Sequence, residues 1–411
     1  MIQRTILEPL KETCRHFPIV LLTGPRQIGK STLLYHGFKD SFSYVSLDDR
    51  LECASARNDP RSFLELHPYP LIIDEVQKAP ELFPELERIV NESRRKRGNK
   101  ESNGMYILSG SQKTKLLDQA TESLSGRVAI LDMENLSYDE ILSRECLPFH
   151  VDPIVLGKRV SGKPSEEEEI FSLIYRGFFP GLYDDPQMDS KRFYSSYITT
   201  YFEKDLREEL ALEKENEFLM YLKLLASNTG QEFIYDNYAK KVGVSVNTIK
   251  SWTAALLRTG IIYFVEPYHE DSISKRVVKR PKMYFFDTGL AAYLCGMESP
   301  SVLQRSVLRG SFFETFVFNE IRKSYLSNGI EKNLYYYRDN DQNEVDLVLI
   351  DEGKMSLIEI KAGQEFDVSD VKAFQKLEKT RLNKGKNAIV CSAPKISVLN
   401  DGTYLIPATT I

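Results

Sequence analysis

The chain has 411 residues, enough for roughly two to four domains that each bury a core of their own. Its 42% hydrophobic and 27% charged residues are those of a soluble globular protein, and no apolar run approaches the roughly 18 residues that cross a bilayer, so a membrane role is excluded and a cytoplasmic location is expected. A net charge of -5 excludes a uniformly basic nucleic-acid coat, and five scattered cysteines without CxxC spacing (Cys14, Cys53, Cys146, Cys295, Cys391) support neither a disulfide framework nor a zinc site, so each is expected to be a buried apolar filler.

Residues 1–150 read as one α/β unit. An amphipathic helix carrying Ile2, Ile6 and Leu10 leads to the apolar run Ile19-Val20-Leu21-Leu22, then to Gly24-Pro25-Arg26-Gln27-Ile28-Gly29-Lys30-Ser31, then to the helical Thr32-Leu33-Leu34. This is strand, phosphate loop, helix. Glycines let the backbone curl so that successive N–H groups face an anion, Lys30 reaches the terminal phosphates, and the Ser31 hydroxyl can ligate Mg²⁺. Residues Gly24 to Thr32 are therefore the predicted ATP-binding segment.

Ser43–Leu47 is a second strand ending at Asp48-Asp49, and Pro70–Glu75 an apolar strand that ends in two carboxylates, Asp74 lying 44 residues after Lys30. Asp74 is placed to hold Mg²⁺ and Glu75 to orient or deprotonate an attacking water; the alternative makes the pair a helix cap after a buried strand. A helix from Pro84 to Arg97 precedes the strand Gly104–Ser111, which ends on small hydroxyls. In ATPases of this architecture that strand lies between the phosphate-loop strand and the strand ending at Asp74-Glu75. Ser111, with Ser109 close behind, is the candidate to touch the γ-phosphate or the lytic water, against an ordinary strand-end turn. Arg127, just before Val128–Leu131, could stabilise charge on the transferring phosphoryl group in cis or from a neighbouring subunit of a homo-oligomer. A plain surface arginine fits the sequence equally well.

Residues 151–216 read as a lid and linker: Gly157, Gly162, Pro164 and the run Glu166–Glu169 mark a loop, and Phe193, Tyr194, Tyr197, Tyr201 and Phe202 mark the core of a helical lid. Residues 217–286 read as a winged helix-turn-helix. Helices Glu217–Ala226, Ile234–Lys241 (stopped by Gly243) and Val246–Arg258 (capped by Ser245, stopped by Gly260) precede the strands Ile261–Val265 and Lys282–Phe286. The third helix buries Ile249, Trp252 and Leu256 and offers Asn247, Lys250, Ser251 and Arg258 on the other face, as a recognition helix does. The hairpin carries Lys275, Arg276, Lys279, Arg280 and Lys282, five cations suited to DNA phosphates. The alternative is a packing module with solvated charges.

In residues 287–411, a helix Phe312–Ser324 presents Glu314, and the strands Leu334–Arg338, Glu344–Ile350 and Leu357–Lys361 follow. Asp346 and Glu359-X-Lys361 on adjacent strands would bring two carboxylates and an ammonium together, a set able to hold Mg²⁺ and activate water for phosphodiester cleavage, with Glu314 completing the shell. The alternative pairs Lys361 with Glu359 or Asp346 in a fold that no longer cuts.

With these motifs read, the chain resembles the bacterial and archaeal AAA-type P-loop ATPases that carry a C-terminal domain of unknown function with a restriction-endonuclease-like core. The resemblance rests on Leu22–Ser31, Leu47-Asp48-Asp49, Ile73-Asp74-Glu75-Val76-Gln77, Leu108–Ser111, Ser125-Gly126-Arg127, Phe286–Leu290, Gly310–Glu314 and Ile358–Gly363. It implies an ATPase core, a winged helix and a nuclease-like domain, with ATP and Mg²⁺ as cofactors. Three functions follow: an ATPase acting on or regulated by DNA, an ATP-gated switch that binds a protein partner with an inactive nuclease-like domain, and an ATP-regulated metal-dependent nuclease.

Overall fold

The computed structural model describes residues 2–111, 124–159, 167–201, 214–269, 280–377 and 382–411. The chain forms two compact units. One holds the chain through Cys146 with the short pieces Arg258–Gly260 and Leu326–Ile330; the other holds Leu147–Leu257, Ile261–Tyr325 and Glu331–Ile411. The segments read as lid, helix-turn-helix and nuclease-like domain thus share one unit.

The first unit is built on five parallel strands, β1 (Ile19–Thr23), β2 (Ser43–Ser46), β3 (Leu71–Asp74), β4 (Tyr106–Gly110) and β5 (Val128–Asp132), in the order β2-β3-β4-β1-β5. Every residue of β1, β3 and β4 is buried, as expected for central strands of a parallel sheet covered on both faces. Around it run α1 (Leu7–His16), α2 (Lys30–Gly37), α3 (Arg50–Asn58), α4 (Pro60–Leu66), α5 (Leu82–Arg97) and α6 (Tyr138–Ile141). Asp49 caps α3 by accepting from the amides of Leu51 and Glu52, and Asp59 caps α4 with Pro60 at its first position. α5 starts ahead of Pro84, which sits in its first turn, where a missing N–H breaks no helical bond. Leu21, Phe63, Ile73, Phe83, Leu86 and Leu108 fill one side of the sheet. Because all five strands are parallel, the loops after β1, β3 and β4 leave from one edge.

The second unit begins with α7 (Pro153–Arg159), α8 (Glu167–Arg176), α9 (Gly181–Asp184) and α10 (Ser190–Tyr201). Tyr194 and Tyr197 of α10 are buried against Phe179; Gly162, Pro164, Glu166 and Phe202 lie outside the described residues. Next come α11 (Glu215–Ser227), α12 (Tyr235–Val242) and α13 (Val246–Arg258), then a three-stranded antiparallel sheet of β6 (Gln231–Glu232), β7 (Ile262–Val265) and β8 (Lys282–Phe285) in the order β6-β8-β7. The Ser245 hydroxyl accepts from the Thr248 amide at 3.1 Å, the cap its sequence position predicts. Trp252 packs edge-on to Phe218, fixing α13 on α11.

After α14 (Thr288–Leu294) and α15 (Pro300–Arg305), α16 (Arg309–Leu326) runs with Phe312, Phe313, Phe316 and Phe318 buried. It precedes a mixed sheet of β9 (Leu334–Arg338), β10 (Glu344–Asp351), β11 (Lys354–Lys361), β12 (Asn383–Lys384), β13 (Ala388–Cys391), β14 (Ser397–Val398) and β15 (Tyr404–Pro407). Strands β9, β10 and β11 form an antiparallel meander, and β13 and β15 add parallel to β11. Glu352 (φ 46°) and Gly353 (φ 74°) form a two-residue turn with both φ positive, which matches the twist of the β10–β11 hairpin and sets its register. Cys53 and Cys295 are half-buried rather than fully buried, Cys53 packing at the margin of the sheet core.

Candidate functional site

The phosphate loop begins where β1 ends. Gly24 has φ +149°, and a Cβ there would stand 2.1 Å from the Met133 carbonyl oxygen, so only glycine fits. Gly29, at φ +91°, caps α2 from the left-handed region and turns the chain into the helix. Lys30 is buried, and its Nζ donates to the carbonyls of Gly24 (2.8 Å) and Pro25 (2.7 Å), which holds the ammonium within the loop. Pro25 and Ile28 are buried, Arg26 is half-buried, and Gln27, Ser31 and Thr32 are exposed.

The end of β3 lies next to the end of β4 in the parallel register. Asp74 is almost fully buried; its carboxylate accepts from the Tyr44 hydroxyl at 2.7 Å and from the Ser109 hydroxyl. Tyr44 also bonds the Ser31 hydroxyl, so Ser31, Tyr44, Asp74 and Ser109 form one chain of hard oxygen groups. Burial, together with Asp74, pushes the Tyr44 phenol well above its ordinary range, so it stays a neutral donor. Glu75 takes the left-handed conformation (φ 56°), turning its carboxylate off the strand. There it accepts from Gln77 Nε2, which also lies 3.5 Å from the Ser111 hydroxyl. Glu75, Gln77 and Ser111 thus stand together at the edge where Lys30 stands. The sequence reading gives no role to Tyr44, nor to Gln77 beyond its place in the Ile73–Gln77 motif; the adjacency of β2 to β3 and the position of Gln77 two residues past Glu75 are the signals that mark them.

Arg127 lies elsewhere. It precedes β5, whose first residue pairs with Ile19 at the start of β1, so Arg127 sits at the opposite edge of the sheet from the phosphate loop. Its guanidinium is held by Asn91 Oδ1 (2.8 Å), the Ser125 carbonyl (2.8 Å) and Glu87 (3.1 Å). A role in cis is therefore corrected by the strand direction.

In the second unit, Asp346 and Glu359 converge. Asp346 is one step beyond the Leu347–Ile358 pair of β10 and β11, its Oδ2 accepts from the Ile360 amide at 2.8 Å, and it hydrogen-bonds Glu359. Burial, reinforced by the Asp346 charge, pushes the Glu359 carboxyl up to about 10, so Glu359 holds its proton at neutral pH. Burial likewise pushes Glu314 up to about 7, against the pull of Lys282. Lys282 is the unexpected member. Predicted as an exposed phosphate contact, it is 2% exposed, because β8 is the central strand of its sheet and all four of its residues are buried. Its ammonium reaches Glu314 (2.9 Å), Glu344 (2.5 Å) and Asp346 (3.5 Å). Burial opposes that charge, but the surrounding acids outweigh it and hold Lys282 well above its usual range. Lys361, expected to pair with Glu359 or Asp346, donates instead to the Asp370 carbonyl (2.9 Å) and carboxylate (3.3 Å). Among the described residues no three His, Cys, Asp or Glu side chains form a metal-ligand set.

On the predicted DNA face, Asn247, Lys250 and Ser251 of α13 are exposed, while Arg258 is half-buried. Arg280 is 59% exposed and lies 3.9 Å from Glu232. Lys275, Arg276 and Lys279 lie outside the described residues. No helix among the described residues is long and apolar enough to cross a membrane.

Comparison with known proteins matches the chain in three segments. Residues 16–142 match the AAA domain family, residues 167–301 a domain of unknown function (DUF8612) and residues 309–411 another (DUF4143). Over 404 residues the chain is 26% identical to uncharacterized proteins of Mycobacterium tuberculosis and Mycobacterium bovis, covering 98% of this chain and 82% of each relative. Among solved structures it is similar to a Walker-type ATPase of Pyrococcus abyssi (15% identity, 70% of this chain and 94% of that one, TM-score 0.46). It is also similar to AMPPCP-bound DnaA from Aquifex aeolicus (15% identity, 62% and 84%, TM-score 0.26). The AAA domain match thus falls on the residues of the first unit that carry the phosphate loop, Asp74, Glu75 and Ser111.

Proposed function

We propose that the chain is a Mg²⁺-dependent ATPase whose turnover is coupled to DNA. The observation that carries the ATPase reading is the meeting, at one edge of a parallel sheet, of Lys30, the Asp74 carboxylate tied to Tyr44 and Ser109, and Glu75 joined through Gln77 to Ser111. The loop amides from Gly24 to Thr32 and the Lys30 ammonium bind the phosphates. Glu75 takes the proton of the attacking water, with Gln77 fixing its orientation, and Ser111 donates to the γ-phosphate or to that water. Ser31 and Asp74, hard oxygen groups already joined through Tyr44, would hold Mg²⁺, which neutralises charge on the β- and γ-phosphates.

The DNA reading is supported by the winged-helix order of α11, α12, α13, β7 and β8 and by exposed Asn247, Lys250, Ser251 and Arg280. A second reading, an ATP-gated switch that binds a protein and keeps a non-cleaving restriction-endonuclease-like domain, is favoured by Lys282, whose ammonium neutralises the carboxylates that a nuclease would offer to a metal. Steady-state ATP turnover with and without single-stranded and duplex DNA separates the two. Stimulation that Asn247→Ala/Lys250→Ala removes supports DNA coupling; turnover that neither DNA changes leaves the protein-binding switch.

A further inference from the structure

The N-terminal residues ahead of α1 hold a buried guanidinium that the ATPase reading does not use. Arg4 is 8% exposed. Its Nη1 donates to the Ile28 carbonyl at 2.8 Å, its Nη2 to the carbonyls of Glu134 (2.7 Å) and Asn135 (3.2 Å), and its Nε to Glu140 Oε2 at 3.0 Å. Glu140 is itself fixed: Oε1 accepts from the Thr5 amide (2.8 Å), Oε2 from the Ser137 amide (3.1 Å), and its own amide bonds the Ser137 hydroxyl (3.1 Å) in a capping box. Ile28 belongs to the phosphate loop. The segment behind Arg4 meets that loop a second time, since the Met133 carbonyl stands against Gly24. The loop is thus supported at its first glycine and just before its last.

We propose that Arg4 is a positioning residue for nucleotide binding, clamping the Ile28–Gly29 peptide so that the phosphate-facing side of the loop is set before ATP arrives. The Ile28–Gly29 bond is a trans peptide, and in a planar trans unit the C=O and N–H point to opposite sides. Fixing the Ile28 carbonyl on Arg4 therefore turns the Gly29 N–H away from Arg4, where a phosphate can accept from it. An arginine suits this because its planar fork serves carbonyls and a carboxylate at once; an ammonium cannot span them. Fixing the amide in advance removes an ordering cost from binding.

The inference rests on the ATPase reading, and the test keeps the two apart. Full-length wild type, Arg4→Lys and Arg4→Met are titrated with MgATP and with Mg-triphosphate at a temperature where circular dichroism shows all three folded. Because the effect passes through a charge-assisted hydrogen bond, both variants are expected to bind ATP about 10- to 100-fold more weakly. Triphosphate weakens by the same factor, since the clamp acts on the phosphate side. Arg4→Lys with the wild-type Kd and only a lower melting temperature overturns the inference, as does a loss confined to ATP. Should neither Arg4 variant fold, Glu140→Gln carries the test: its amide oxygen in the place of Oε2 still serves the Ser137 cap, while Arg4 loses its anionic partner, and the variant is expected to weaken ATP and triphosphate equally, an unchanged Kd overturning the inference. A wild type that binds no ATP overturns the ATPase reading and the inference with it.

Discussion

Replacing Lys282 with methionine removes an ammonium that reaches Glu314, Glu344 and Asp346 at 2.5–3.5 Å, and keeps most of the side-chain volume. With Lys282 2% exposed, little water can take its place. Breaking a buried ion pair on one side costs about 3–5 kcal/mol, and here three acids lose the same partner. Glu314 responds by holding its proton. In the wild type Glu314 already stands at about 7 and Glu359 at about 10, against an ordinary value near 4.5. The folded state therefore binds more protons than the unfolded chain between those values, and stability falls as pH rises through that window. Losing Lys282 pushes Glu314 and Glu359 further up and steepens the fall. In urea unfolding followed by the fluorescence of Trp252, Lys282→Met is expected to lose about 3–5 kcal/mol at pH 8 and less than half of that at pH 5.5. An equal loss at both pH values, or less than about 1 kcal/mol at pH 8, would refute the assignment of Lys282 as the cluster's cation.

Glu75→Gln is expected to keep ATP affinity while turnover falls about 10²–10⁴-fold, the usual contribution of a positioned base, as measured by binding and single-turnover hydrolysis on the same protein. Tyr44→Phe takes a hydroxyl from Asp74 and Ser31, so the Mg²⁺ concentration giving half-maximal turnover is expected to rise about tenfold, with an unchanged value counting against Asp74 as ligand.

The parts of the molecule legible in the sequence are those whose signal is local. The strand, loop and helix around Lys30 sit within the 19 residues Ile19–Gly37, and continuous apolar runs mark β1 and β3 because both faces of a parallel sheet are covered. The antiparallel neighbours Asp346 and Glu359 were legible too, since a glycine turn separates two alternating strands. What escaped depends on contacts between distant segments. Lys282 reads as one more cation in a basic hairpin until β8 proves to be the middle strand, and its partner Glu314 lies 32 residues away. Arg4 and Glu140 are 136 residues apart, and nothing near either one marks the pair. Arg127 looked close to the phosphates only because sequence order does not say which edge of a parallel sheet a residue occupies.

The measurement that tests the central claim most directly is ATP binding and turnover by Lys30→Ala beside the wild type. Lys30 is the side-chain cation whose Nζ is held by the Gly24 and Pro25 carbonyls of the loop. The account predicts that wild type binds and hydrolyses MgATP and that Lys30→Ala, with its circular dichroism unchanged, loses at least about a hundredfold in turnover per Kd. Wild-type turnover by Lys30→Ala would contradict it.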